Sequence, residues 1–334
     1  MNRKNITIKD IAKTANVSKS TVSRVLNNTT PVDDKKRKAV LKAMKKLNYK
    51  PNVFARTLAG GQSMTLGVVT QNIGSPFYDS VTMGVIRGLV GSDYSPIIAD
   101  GQWNKDLEIA AIKTLVDRQV DGIILVGGDL DTTTLEEAAD GVPMIQAARN
   151  LRGWKDRCIS IDNVAAAKKA TQFLIEAGHR NIAHIAGIRD HQDAIDRLKG
   201  YKLALEEAQL DATDDLVVQG DFSGQSGVLA IETLLMRNVA FSAVFAANDE
   251  MASGVLLSLY RRGIRVPDDV SIIGFDNQPN SAFMTPPLTT ISQPALEMGE
   301  AASMMLVNLI TGKPCSVPEL SVDVVIRESV IRQR

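Results

Sequence analysis

Two spacings of apolar residues run along this chain. Near the N-terminus Ile8, Ile11, Ala12 and Ala15 recur at helical spacing, and Val22, Val25 and Leu26 do so again after the break Asn16-Val17-Ser18. The pattern predicts two short helices around a tight turn: Asn16 suits the left-handed conformation that ends the first, and Ser18 is a good N-cap for the second. A third helix from about Asp33 carries Val40, Ala43, Met44 and Leu47 as its apolar stripe and leaves Lys35, Lys36, Arg37, Lys38, Lys42, Lys45 and Lys46 to solvent. Residues 1–50 therefore read as an all-α helix-turn-helix head, with Lys19, Ser20, Ser23, Arg24 and Asn27 on the polar faces of its second helix.

In residues 51–61 Asn52 can cap a short helix and Gly60-Gly61 stop it. Two turns make a marginal helix in water, so this segment needs a partner to form. From residue 62 the period changes. Short apolar runs at Met64 to Thr70, Ser95 to Ala99, Gly122 to Val126, Pro143 to Ala147, Ile159 to Ile161, Asn181 to Ile185, Ala243 to Ala246 and Ser271 to Gly274 alternate with amphipathic stretches. That rhythm predicts an α/β body, residues 62–334, of two doubly wound lobes with parallel sheets. Ligands in such folds collect beyond the carboxyl ends of the strands. Asn72, Phe77-Tyr78, Trp103, Arg149, His191, Asp193, Phe222, Asn248-Asp249 and Asp276 follow the runs and are the candidates.

Charge changes the picture. Residues 1–61 hold 15 Lys/Arg against 3 Asp/Glu, and residues 62–334 hold 23 against 35, so a net charge of zero conceals a cationic head on an anionic body. A basic segment that small binds a polyanion by counterion release, which makes nucleic acid the first partner to expect. Cys158 and Cys315 are remote from each other and lack zinc-site spacing, and both are expected to be buried small hydrophobes. The chain has three histidines, and it carries no nucleophile elbow, phosphate loop or metal helix motif. No catalytic residue, metal or cofactor is expected. The missing motifs argue against an enzyme built on the same lobes, and with no apolar run behind Met1 and none long enough to span a bilayer the expectation is a cytoplasmic protein without a membrane partner, not a secreted solute-binding protein.

The runs Thr7-Ile8-Lys9-Asp10-Ile11-Ala12, Asn16 through Asn27 and Leu47-Asn48-Tyr49-Lys50-Pro51-Asn52 closely resemble the DNA-binding head of the lac repressor and galactose repressor family. The resemblance implies that Lys19, Ser20 and Arg24 read base edges, while Ser18, Thr21, Ser23 and Asn27 anchor phosphates. An arginine fork on guanine is worth roughly 1 to 3 kcal/mol of base discrimination. By the same resemblance residues 51–61 are a hinge helix that pairs with its copy in a dimer, Asn52 capping it and Leu58 wedging into the minor groove.

The body resembles the periplasmic-binding-protein-like sensor of these repressors through Asp121-Gly122-Ile123-Ile124, Gly178 to Ile182, Asp196 to Tyr201, Asn248-Asp249 and Val270 to Asn277. Implied effector contacts are Arg197, Asn248 and Asp276 on hydroxyls, with Phe77, Phe222 and Gln293 at or near others; the context of Trp103 departs from the family pattern. A crossover at Leu288 to Pro294 and a closing strand at Val322 to Arg327 put residues 62–161 and 292–328 in the first lobe and 162–291 in the second. The function implied is a homodimeric repressor of sugar-utilisation genes, bound to a pseudo-palindromic operator and controlled by a small sugar. Co-repression, or a purine or phosphosugar effector, stays open. Because the sequence ends at Arg334 without a leucine-heptad tail, a dimer is expected, not a tetramer.

Overall fold

In the head, helix α1 (Ile8–Ala15) starts where Asp10 Oδ2 accepts both the Thr7 amide at 2.9 Å and the Thr7 hydroxyl at 2.8 Å. It stops at Asn16, whose φ of 53° and ψ of 48° turn the chain left-handed. Helix α2 (Lys19–Asn27) opens on Ser18, with Oγ accepting from the Thr21 amide at 3.1 Å. Asp33 caps helix α3 (Asp34–Lys46) by accepting from the amides of Lys35 and Lys36 at 3.1 and 3.2 Å. Ile11, Val22 and Val40, one from each helix, are fully buried at the centre, with Ala12 and Ala43 beside them. Three helices with so small a core fold because each helix start is capped and each apolar stripe faces the same point.

The computed structural model describes residues 6–27, 31–47, 49 and 62–333. Asn52, Leu58 and the hinge helix expected over 51–61 lie outside the described residues, as does the side chain of Asn27. Two compact units divide the chain, residues 1–65 with 119–121 and the remainder, and the second is the α/β body.

The body holds two sheets. The first runs β2-β1-β3-β4-β5, formed by β1 (Thr65–Thr70), β2 (Ser95–Asp100), β3 (Gly122–Val126), β4 (Met144–Ala147) and β5 (Cys158–Ile159). The registers recorded for β1 with β3, β3 with β4 and β4 with β5 are parallel. Helices α4 (Pro76–Gly88), α5 (Lys105–Asp117) and α6 (Thr132–Ala139) link these strands. The second sheet runs β11-β10-β9-β8-β6-β7, formed by β6 (Ile182–Ala186), β7 (Val217–Gln219), β8 (Ala243–Ala246), β9 (Ser271–Asp276), β10 (Thr289–Ser292) and β11 (Asp323–Val325). Helices α7 (Asn163–Glu176) and α8 (Gln192–Glu207) pack as one pair against it, and α9 (Gly224–Met236) and α10 (Asp249–Arg261) as another. Fully buried runs such as Gly122–Val126 and Ser271–Asp276 reflect strands covered on both faces, as parallel sheets require.

The C-terminal part of the chain corrects one expectation. Helix α11 (Ala295–Ile310) does return to the first lobe, where it lies against α4. That contact depends on Gly84 and Gly299, since a Cβ on Gly84 would sit 2.1 Å from the Leu296 carbonyl oxygen and one on Gly299 2.0 Å from that of Val81. The closing strand does not follow it. β11 pairs antiparallel with β10, which itself pairs with β9, so residues assigned to the first lobe up to 328 end in the second sheet. Further hydrogen bonds keep the terminus there: Ser329 Oγ donates to the Ile272 carbonyl and accepts from the Thr289 amide, and His179 contacts the Ile331 carbonyl through Nε2. β7 was not anticipated, because a three-residue edge strand lacks a legible apolar run.

Candidate functional site

The first candidate surface is α2. Ser18, Lys19, Ser20 and Arg24 are exposed, and Thr21 and Ser23 are half-buried. Ser18 Oγ lies 2.8 Å from both Ser20 Oγ and Thr21 Oγ1, so three of the implied contacts form one hydroxyl cluster at the start of the helix. The turn at Asn16 and the burial of Val22 leave this polar face outward.

The second candidate is a cleft of about 340 Å3 in the body, lined from both lobes at the carboxyl ends of the strands. Asn72, Phe77, His191, Asp193, Arg197, Phe222, Asn248 and Asp276 all line it. At its floor Arg197 is 3% exposed. Its Nε donates to Asn163 Oδ1 at 2.9 Å and its Nη1 to the Ala247 carbonyl at 2.6 Å, while the guanidinium carbon stacks 3.8 Å from the centre of the Phe275 ring. Asp193 and Asp276 lie 3.9 and 3.8 Å away. Asp276 ends β9 at a φ of 113°, a conformation L-residues rarely adopt. Gln293 and Gln278 donate side-chain amides to its two oxygens at 2.7 and 3.3 Å and hold it there. Burial pushes its carboxyl far above the usual range, Arg197 opposes this, and Asp249 adds to it.

Aromatic rings line the rest. Phe77, Tyr78, Trp103, His191 and Phe222 form an unbroken edge-to-face row, with successive centroids 5.2, 5.5, 4.8 and 5.7 Å apart. Trp103 and Phe222 hold positive φ values of 54° and 69°, so with Asp276 three non-glycine residues of the cleft are strained. Such strain concentrates at ligand sites. Gly187 makes room for Phe222, because a Cβ there would meet the ring at 2.0 Å.

Some expected residues do other work. Arg149 is not among the lining residues; its Nη1 donates to the Leu130 carbonyl at 2.8 Å. Gln293 supports Asp276 and lines a neighbouring cavity instead. Asn248 lines the cleft, yet its amide is engaged at both ends, Oδ1 capping α10 through the Met251 amide and Nδ2 donating to the Phe222 carbonyl. Asp249 is structural: it accepts from Thr290 Oγ1, Ser281 Oγ and the Gln278 amide, tying α10 to β10 and the segment after β9. Cys158 is buried as expected, but Cys315 is exposed. Ile188, Asp221, Ser223 and Glu250 were missed. Asp221 follows β7, so overlooking that strand hid it. Among the described residues no group of three or more His, Cys, Asp or Glu is placed to hold a metal, and no helix is long and apolar enough to cross a membrane.

A helix-turn-helix unit joined in one chain to a two-lobed body with an inter-lobe cleft defines a ligand-responsive DNA-binding protein. Comparison with known proteins gives the family. Residues 7–52 match the bacterial regulatory proteins of the lacI family, and residues 171–330 match the periplasmic binding protein-like domain. The chain is similar to catabolite control protein A of Priestia megaterium, at 37% identity over 90% of this chain and 92% of that one. It is also similar to the solved transcriptional regulator CelR in its cellobiose complex, at 34% identity and a TM-score of 0.73 over 97% and 99% of the two chains. The lac repressor dimer bound to operator and the anti-inducer ONPF superposes with a TM-score of 0.87 at 28% identity, covering 98% and 100%. This chain belongs to the lacI family of bacterial regulatory proteins, and it is a DNA-binding transcriptional regulator, not an enzyme.

Proposed function

We propose that the chain is a cytoplasmic homodimeric repressor of sugar-utilisation genes whose operator affinity is set by a small sugar bound in the inter-lobe cleft. Residues 1–50 are the reader, 51–61 the connector, and 62–334 the sensor and dimerisation unit. Lys19, Ser20 and Arg24 take base edges, and Ser18, Thr21, Ser23 and Asn27 take phosphates, leaving Asn52 to cap the connector and Leu58 to enter the minor groove.

The observation that carries the reading is the buried Arg197–Asp276 pair at the floor of an aromatic-walled cleft. Adjacent sugar hydroxyls suit a guanidinium and a carboxylate fixed side by side, and a ring such as Phe222 or Trp103 covers the apolar face of a pyranose. Asp193, His191 and Asn72 add polar groups to the lining. The relative solved with cellobiose supports the same class of ligand.

Effector and operator affinities are linked, so each must alter the other by the same factor. Calorimetric titration of a saccharide panel into the full-length protein, with and without a palindromic duplex from the gene's upstream region, tests this. A sugar whose affinity is identical in the two titrations rejects the coupling.

A further inference from the structure

We infer that the effector is a saccharide without negative charge, and that the carboxylates of Asp193, Asp221 and Glu250 keep phosphorylated and acid sugars out of the cleft. This rests on the sugar reading above and sharpens it.

Four carboxyl groups line the cleft, Asp193, Asp221, Glu250 and Asp276, against the single guanidinium of Arg197. That guanidinium is already committed. Its Nε and Nη1 are held by Asn163 and the Ala247 carbonyl, and Asp193 and Asp276 lie within 4 Å of it. A bidentate phosphate contact would have to displace one of those buried partners, whereas a single hydroxyl, which needs one donor, would not. The other cationic candidates are withdrawn. Arg149 faces the Leu130 carbonyl and does not line the cavity. His191 lies in the aromatic row, where burial lowers its basicity, so near neutral pH it presents an uncharged ring.

Parallel α/β folds bring helix N-termini to the ligand, and those ends would ordinarily welcome an anion. Here each is matched by a carboxylate of the chain. Asp193 lies in the first turn of α8 and Glu250 in that of α10. Asp221 accepts the Ser223 amide at 2.9 Å, immediately before α9. The positive ends are therefore occupied, and an incoming phosphate would meet three acids in a partly desolvated cleft. Uncharged hydroxyls meet no such barrier: they donate to those same carboxylates and accept from Arg197.

The test is calorimetry on the full-length protein with neutral mono- and disaccharides, their 6-phosphates and the corresponding uronic acids. The best neutral ligand is expected to bind about 100-fold more tightly than its phosphate or uronate at low salt, with the gap shrinking as salt screens the repulsion. In the double variant Asp221→Asn, Glu250→Gln, that ratio is expected to fall about tenfold, which is about 1.4 kcal/mol. A phosphorylated or acid sugar that binds as tightly as its neutral parent overturns the charge inference and leaves the sugar reading standing. If no saccharide of any charge binds, the sugar reading itself fails and the inference goes with it.

Discussion

His184 shows how far burial alone can set a side chain's chemistry. It is stacked between Tyr201 and Phe245, with Nδ1 on the Phe245 carbonyl, and burial lowers its pKa to about 4. An unfolded imidazole titrates near 6.5, so the unfolded chain takes up a proton that the native chain refuses. The stability involved is intact above pH 6.5 and is lost as the pH falls toward 4, roughly 3 kcal/mol in all. Urea unfolding of wild type and His184→Phe across that range should show the wild type losing about this much relative to the variant. Asp249 has the opposite sign: burial raises its carboxyl, so Asp249→Asn should gain on the wild type as pH rises. Gly187→Ala is a purely steric probe. Its methyl would displace the Phe222 ring, and effector affinity should drop about tenfold while the melting temperature moves little. An unchanged Kd would remove Phe222 from the site.

The helices and strands were legible where their cause is local. Asn16 and Ser18 announce the turn between α1 and α2 because a left-handed residue and a hydroxyl cap act within four residues of themselves. Asn16→Ala should therefore cost about 1 kcal/mol in protection of α1 and α2 amides by hydrogen exchange, whereas Asn16→Gly should be nearly neutral. Equal protection in both variants would show that the left-handed turn carries no strain. The parallel strands were legible for a similar reason, since strands buried on both faces read as apolar runs. β7 was not, and β11 was legible as a strand but not as a member of the second sheet. Each is three residues long, and its place is set by hydrogen bonding to residues distant along the chain, His184 to Ala186 for β7 and Thr290 to Ser292 for β11.

Between the two binding functions the division of charge is the property with the widest reach. A head with 15 basic and 3 acidic residues on an acidic body should bind operator-sized duplex with a steep salt slope, losing about a thousandfold or more in affinity between 50 and 200 mM salt if six or more phosphates are contacted. A flat slope in an electrophoretic or anisotropy titration would mean that the basic face is not the one that meets DNA. The composition, the apolar periods and the capping residues were enough to specify a cationic helix-turn-helix head and a doubly wound two-lobed body, because charge and periodicity are properties of the chain before it folds, and the resemblance of the motifs to a family supplied their roles. The selection of effector residues was not available in that way. Arg149, Arg197 and His191 are all candidate anion partners in the sequence, and folding separates them: one turns to a backbone carbonyl, one lies beside two carboxylates, and one is made less basic by burial. Which charges meet a ligand depends on contacts between residues distant along the chain, such as Arg197 with Asp276 and His191 with Trp103, and only the packed chain fixes those.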